Sequence, residues 1–211
     1  MKKILLKSVL FSSCFYLNVA QASVEMLNNF FADVTTLEAH FDQSVIDETG
    51  LTLETSSGTF YLSRPGKFRW DYKSDDPDLE QGQQIVADGN SIFMYDPDLE
   101  QVTQRGLADA LGQVPSLLLV QTGTNIDEHF EVSDFGSIED LTWVGLKPRD
   151  ENAGYQQLMI GFLGEQLNMI KLIDGLGNET RLSLTQVKDN PELSKDIFDI
   201  EIPEGADVYG Q

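Results

Sequence analysis

The sequence contains few of the residues that catalysis, metal binding and disulfide formation require. It has one cysteine, Cys14, and two histidines, His40 and His129, among 211 residues. A single cysteine excludes a disulfide framework, and this set gives no ligand spacing typical of zinc. The sequence also has no Gly-x-Ser-x-Gly turn, no phosphate-binding glycine loop and no His-Glu-x-x-His helix. We therefore expect a protein that is not an enzyme and that has no cofactor and no metal site.

Basic residues are scarce as well. There are 14 Lys and Arg against 35 Asp and Glu, which gives a formal net charge of −21. Nucleic acids and anionic bilayers bind to basic surfaces, so neither is expected as an electrostatic partner. A repeated acidic stretch, Asp76-Pro77-Asp78 and Asp96-Pro97-Asp98, lacks the loop pattern of a calcium site. We interpret both copies as solvated turns.

Long apolar segments are absent except at the start of the chain. Residues 1–22 combine early lysines with a short apolar stretch and end in Ala20-Gln21-Ala22, the features of a cleaved secretory signal peptide. The stretch is short for the ~20 residues that a membrane span needs. Ser12-Ser13-Cys14 offers the alternative of a lipid-anchored cysteine. We predict cleavage after Ala22 and a single soluble domain over residues 23–211.

One helix precedes a series of strands. Apolar residues recur at helical spacing from Val24 to Val34, and Ser23 is suited to cap this helix. The apolar period then changes to two, and turns rich in Gly, Pro, Asn and Asp separate the short strands, which indicates an antiparallel meander. Strands are predicted near 60–63, 67–72 and 92–95 and then at 130–135, 141–147, 156–163, 166–173, 179–187 and 197–202. Hairpin turns are predicted at 88–90, 164–165 and 174–175.

Several strands are apolar on both faces, including Ile92–Tyr95 and Leu158–Ile160. A free sheet needs only one apolar face, so a helix, a lid or a ligand should cover the other. The segment 106–123 predicts two short helices, with Pro115 in a first turn and Leu117–Val120 apolar all round. We expect these helices to lie on the sheet as a lid.

Arg64 is a candidate functional residue at the end of an alternating strand. Period two places it on the same face as Phe60 and Leu62. An arginine at the rim of an apolar face is either paired or donates to backbone carbonyls, whereas exposure at the turn is the alternative. The spacing alone does not decide between them.

Motifs along the chain carry a family resemblance. They are Phe41-Asp42-Gln43, Ser57-Gly58-Thr59-Phe60, Arg64-Pro65-Gly66-Lys67-Phe68-Arg69-Trp70, Ile85-Val86-Ala87-Asp88-Gly89, Tyr95 to Val102, Asp174 to Thr180 and Pro203 to Val208. In this order they resemble LolA, the family of periplasmic outer-membrane lipoprotein carriers, over essentially all of residues 23–211.

The resemblance implies a fold and a function. The fold is mainly β with an α lid, an incomplete antiparallel β-barrel (half-barrel) closed by short helices. The function is that of a monomeric chaperone in the periplasm of a Gram-negative envelope. Such a carrier receives acylated lipoproteins from an inner-membrane ABC transporter and delivers them to an outer-membrane receptor. The resemblance further implies that Arg64 holds the lid closed through its backbone and that the position of Phe68 is linked to loading.

The expected acyl-chain cavity draws on the strands, the first helix and the lid. Its residues are Phe60, Leu62, Phe68, Trp70, Tyr72, Ile92, Met94, Leu27, Phe30, Phe31, Leu117 and Leu118. An alternative function is a periplasmic lipid- or lipoprotein-sensing regulatory domain with the same half-barrel. Such sensors usually carry a further C-terminal domain, whereas this sequence ends after its last predicted strand.

The first prediction concerns processing. N-terminal sequencing of the protein from the periplasm should begin at Ser23, because the small residues before it form the cleavage site. A sequence that begins at a lipid-modified Cys14 would contradict this prediction.

Overall fold

The computed structural model describes residues 22–74, 76, 82–107, 119 and 126–210. The predicted signal peptide lies outside the described residues, and so does most of the predicted lid, including Leu117 and Leu118. The helices are α1 (Ala22–Asp33), α2 (Ile126–His129) and a 3-10 helix (Lys195–Phe198). The strands are β1 (Thr36–Ile46), β2 (Thr52–Ser63), β3 (Lys67–Tyr72), β4 (Gln84–Asp88), β5 (Ser91–Asp96), β6 (Gln101–Gly106), β7 (Phe130–Ile138), β8 (Leu141–Pro148), β9 (Tyr155–Leu163), β10 (Gln166–Asp174), β11 (Glu179–Asp189) and β12 (Asp207–Tyr209).

All these strands join one sheet, in the order β12-β6-β5-β4-β3-β2-β1-β11-β10-β9-β8-β7. The first strand lies in the middle, where Leu37 of β1 is opposite Asp189 of β11. Only β12 runs parallel to its neighbour. Since β12 and β7 are the two edges, the sheet is open. The predicted mainly β fold, an incomplete antiparallel barrel, is confirmed.

The prediction that Ser23 caps the first helix is wrong. Helix α1 begins at Ala22, so Ser23 lies within its first turn. The side chain is buried, and its hydroxyl has no hydrogen-bond partner in the described part of the chain.

The prediction of a strand at 197–202 is also wrong, since the chain forms the 3-10 helix and then an irregular segment there. Arg69 Nη1 donates to the carbonyl oxygens of Ile197 at 3.1 Å and Asp199 at 3.4 Å. These bonds tie the backbone to the outer face of the sheet instead of into its ladder. The strand that covers the edge of β6 is β12, farther along the chain.

The main core lies between the inner face of the sheet and α1. Phe41 meets Trp70 edge-on, with ring centroids 4.8 Å apart, and Phe60 stacks on Trp70 at 4.2 Å. Phe30 of α1 reaches Phe162 of β9, with centroids 6.1 Å apart. The helical apolar stripe therefore packs on the inward side chains of the alternating strands.

The outer face of β4 and β6 has its own cover. Val86, Val102 and Phe198 are all buried, although they lie outside the main core. The 3-10 helix contacts β3 and β4. The second apolar face that the sequence shows near these strands is thus covered by the C-terminal segment rather than by the lid.

Gly58 makes possible the close approach of β3 and the ring of Phe41. An added Cβ would lie 1.9 Å from the Asp71 carbonyl oxygen and 2.8 Å from that ring. We expect Gly58→Ala to lower the free energy of unfolding by at least about 2 kcal/mol, because the tight core cannot accept the extra atom. Urea unfolding measures this change. The matched control is Gly154→Ala, where the added Cβ meets nothing within 4 Å; equal effects in the two variants would refute the packing argument.

Candidate functional site

Arg64 lies at the end of β2, where it is only 9% exposed. Its Nε donates to the carbonyl oxygen of Leu119 at 2.8 Å. Its Nη1 donates to the carbonyl oxygens of Phe30 at 2.9 Å and Phe31 at 3.4 Å, and also to that of Val34. One guanidinium therefore connects the sheet to the end of α1 and to the segment that contains Leu119.

The end of α1 is a suitable place for this cation. The last carbonyls of a helix lack intrahelical partners, and the helix dipole favours positive charge there. Helix α1 has no basic residue in its last turn, so Arg64 supplies that charge from another element. The guanidinium carbon also lies 4.7 Å from the ring centroid of Phe30 and 4.9 Å from that of Phe31, in cation–π contact.

Burial of Arg64 has an electrostatic cost. Desolvation lowers the pKa of Arg64 to about 10, so the side chain is still protonated at neutral pH. No described carboxylate pairs with it, and its Nη2 has no hydrogen-bond partner within the described residues. The charge is thus held by neutral carbonyls and aromatic faces. Of the two possibilities left by the sequence, the structure shows the backbone-bonded arrangement and not an exposed turn.

A cavity of about 190 Å³ lies beside this contact, between the sheet and Leu119. It extends from β3 and β4 on one side to β9, β10 and β11 on the other. Most of its lining is apolar or aromatic, and the polar exceptions are Gln43 and Thr180. The complete lining is Gln43, Trp70, Tyr72, Ile85, Leu119, Leu158, Ile170, Leu172, Thr180 and Leu182.

Only part of the residue set predicted from the sequence lines this cavity. Trp70 and Tyr72 do so, and Met94 lies opposite Ile85 in the sheet. Phe31 is partly buried against the core. The other described members lie within the adjoining closed core: Phe60, Leu62, Phe68, Ile92, Leu27 and Phe30.

The sequence analysis missed the far wall of the cavity. Leu158, Ile170, Leu172 and Leu182 come from β9, β10 and β11, which were predicted as strands but not assigned to the site. Their alternation with polar neighbours is the signal that could have placed them on the inner face. Gln43 carried no such signal, because it is a polar residue on an apolar face.

Neither a metal-binding cluster nor a membrane-spanning helix occurs in the part of the chain that is described. No group of three or more His, Cys, Asp or Glu side chains there could hold a metal ion. No helix in these ranges is long and apolar enough to cross a membrane.

Solved structures share the fold at low sequence identity. A LolA superfamily protein from Nitrosomonas europaea matches with a TM-score of 0.50 at 14% identity, covering 87% of this chain and 99% of that one. An uncharacterised conserved protein from Thermus thermophilus matches with a TM-score of 0.56 at 12% identity, covering 90% and 99%. These matches support the open-sheet fold.

Sequence relatives are closer. The outer-membrane lipoprotein carrier protein of Dechloromonas aromatica is 34% identical over 215 residues, covering 100% of both chains. The protein of the same name from Methylococcus capsulatus is 37% identical over 183 residues, covering 87% of this chain and 85% of that one. The family model described as outer membrane lipoprotein carrier protein LolA matches residues 32–201. The chain therefore belongs to the LolA family of outer membrane lipoprotein carrier proteins, and it is a carrier rather than an enzyme.

Proposed function

We propose that this protein shuttles acylated lipoproteins across the periplasm of a Gram-negative envelope. It receives them from an inner-membrane ABC transporter, shields their acyl chains in the apolar cavity, and delivers them to an outer-membrane receptor. In this proposal residues 1–22 direct export and residues 23–211 form one monomeric carrier domain. The observation that carries the proposal is an apolar cavity whose cover is tied to the sheet through Arg64.

The size of the cavity indicates that loading requires movement. Its 190 Å³ is below the roughly 300–1,000 Å³ of ordinary ligand pockets. An apolar cavity of about 150 Å³ holds only a molecule such as benzene. Several long acyl chains need far more room, so Leu119 and its segment must move away from the inner face before cargo enters.

Energy for extraction has to come from outside the carrier. Each buried methylene contributes about 0.8 kcal/mol to membrane anchoring, so a lipoprotein with several chains does not leave a bilayer unaided. The sequence has no phosphate-binding loop. In this proposal the transporter supplies the work, and release occurs because the receptor offers the chains a better site.

Arg64 suits the role of a reversible latch. Closure provides hydrogen bonds to carbonyls and contact with two aromatic rings. Opening returns the guanidinium to water, which recovers the solvation that burial removes. Because gain and loss oppose each other, the closed form is favoured by less than the sum of its contacts.

We expect Arg64→Leu to shift the carrier toward the open form. The change removes charge-assisted hydrogen bonds worth about 1.5–3 kcal/mol each, so an apolar dye should bind more strongly. The family resemblance also leads us to expect that loading persists while delivery to the receptor fails. The control is Arg181→Leu, an exposed arginine. Unchanged dye binding together with normal delivery would refute the latch.

A second test compares neighbouring residues on opposite faces of β10. Leu172 lines the cavity, whereas Ile173 does not. Leu172→Gln should reduce capture of an acylated lipoprotein released from vesicles that contain the transporter and ATP, because it places an amide against the chains. Ile173→Gln should leave capture close to normal.

The same assay tests the carrier function directly. Capture depends on acyl chains, so a delipidated lipoprotein should not be retained. If it is captured as well as the acylated form, the cavity is not the binding site.

A further inference from the structure

The inner face of the sheet has a polar band at one end of the apolar cavity. Gln43, Tyr72 and Thr180 line the cavity from three different strands. Gln43 lies opposite Ser56 of β2 and Leu182 of β11, so the hydroxyl of Ser56 shares its face. We refer to Gln43, Ser56, Tyr72 and Thr180 as the polar band.

The side chains of the polar band have no protein partners in the described ranges. The Oγ of Ser56 is buried and makes no hydrogen bond. The Gln43 amide and the Tyr72 and Thr180 hydroxyls likewise make none with the described residues. Buried polar groups in folded proteins are nearly always paired. A cluster of unpaired ones beside an apolar cavity is therefore suited to a ligand that brings complementary polar atoms.

All members of the polar band can donate hydrogen bonds. The Gln43 amide has two donor hydrogens, and Ser56 and Thr180 each have one hydroxyl. Burial, and secondarily the Glu54 carboxylate, raises the pKa of Tyr72 to about 12. Its phenol thus stays protonated and can donate at neutral pH. A set of neutral donors fits a ligand group that only accepts.

The position of the band also suits the cargo. Tyr72 is the last residue of β3 and Thr180 the second of β11, so both lie toward the end of the sheet that carries the 47–51 and 175–178 turns. Leu158 and Ile170 lie in the middle of their strands. An acyl chain that fills the apolar part would place its carbonyl end at the band.

We propose that Gln43, Ser56, Tyr72 and Thr180 bind the ester and amide carbonyls that join acyl chains to the lipidated end of the cargo. This inference rests on the proposed carrier function. The chains supply affinity through burial, while the band recognises the linkage and sets how deeply each chain enters. The Glu54 carboxylate, close enough to Tyr72 to act on its titration, disfavours the anionic head of a free fatty acid. The site therefore selects neutral acyl linkages.

Three probes of equal chain length test the proposal with the exported protein: a diacylglycerol, the matching dialkylglycerol ether, and a free fatty acid. Each competes with a fluorescent acyl probe. The wild type should prefer ester to ether by about 2- to 10-fold for each carbonyl hydrogen bond, and should bind the fatty acid less well than the ester. Gln43→Leu and Thr180→Val should each reduce the ester-to-ether ratio without weakening ether binding.

The control variant is Ser183→Ala, a hydroxyl of β11 that does not line the cavity. It should keep the wild-type ratio. Equal binding of ester and ether by the wild type, or an unchanged ratio in the Gln43 and Thr180 variants, would overturn the polar band and leave the carrier function standing. If no probe binds and no acylated lipoprotein is captured, the proposed function fails as well.

Discussion

A buried positive charge without a negative partner among the described residues connects the main parts of this molecule. Arg64 leaves the sheet at the end of β2 and is surrounded by carbonyl oxygens and by two phenylalanine rings. Apolar contact alone would let α1 slide over the inner face, because burial has no preferred direction. A planar guanidinium with fixed donor directions sets one position for the helix end and for Leu119 together.

The same motif secures the other face of the sheet. Arg69 follows Arg64 by one turn and part of a strand, and it points outward, where it donates to the carbonyls of Ile197 and Asp199. A pair of arginines in one short motif thus fastens the beginning of the chain on one side and its C-terminal segment on the other. Both act through backbone carbonyls, so the neighbouring side chains are free to vary with the packing that they need.

Local pattern predicted most of the strands, because alternation and turn residues act over a few positions. It also placed Arg64 on the correct face. It failed at 197–202, where alternating isoleucines suggest a strand but Arg69, far away in sequence, captures the backbone. The cavity was only partly predicted for a related reason. Alternation shows which face a residue occupies, but whether facing side chains meet or leave a gap depends on β3 and β4 relative to β9–β11.

The central position of β1 also governs how the chain acquires its structure. Its partner β11 comes nearly at the end of the sequence, so Leu37 meets Asp189 only when almost the whole chain is present. Contacts between such distant segments slow folding, since a large loop must close before any pairing energy is gained. The middle of the sheet is therefore among the last parts to form. For a protein proposed to be exported, this delay keeps the chain loosely structured during its passage and completes the inner face only at its destination.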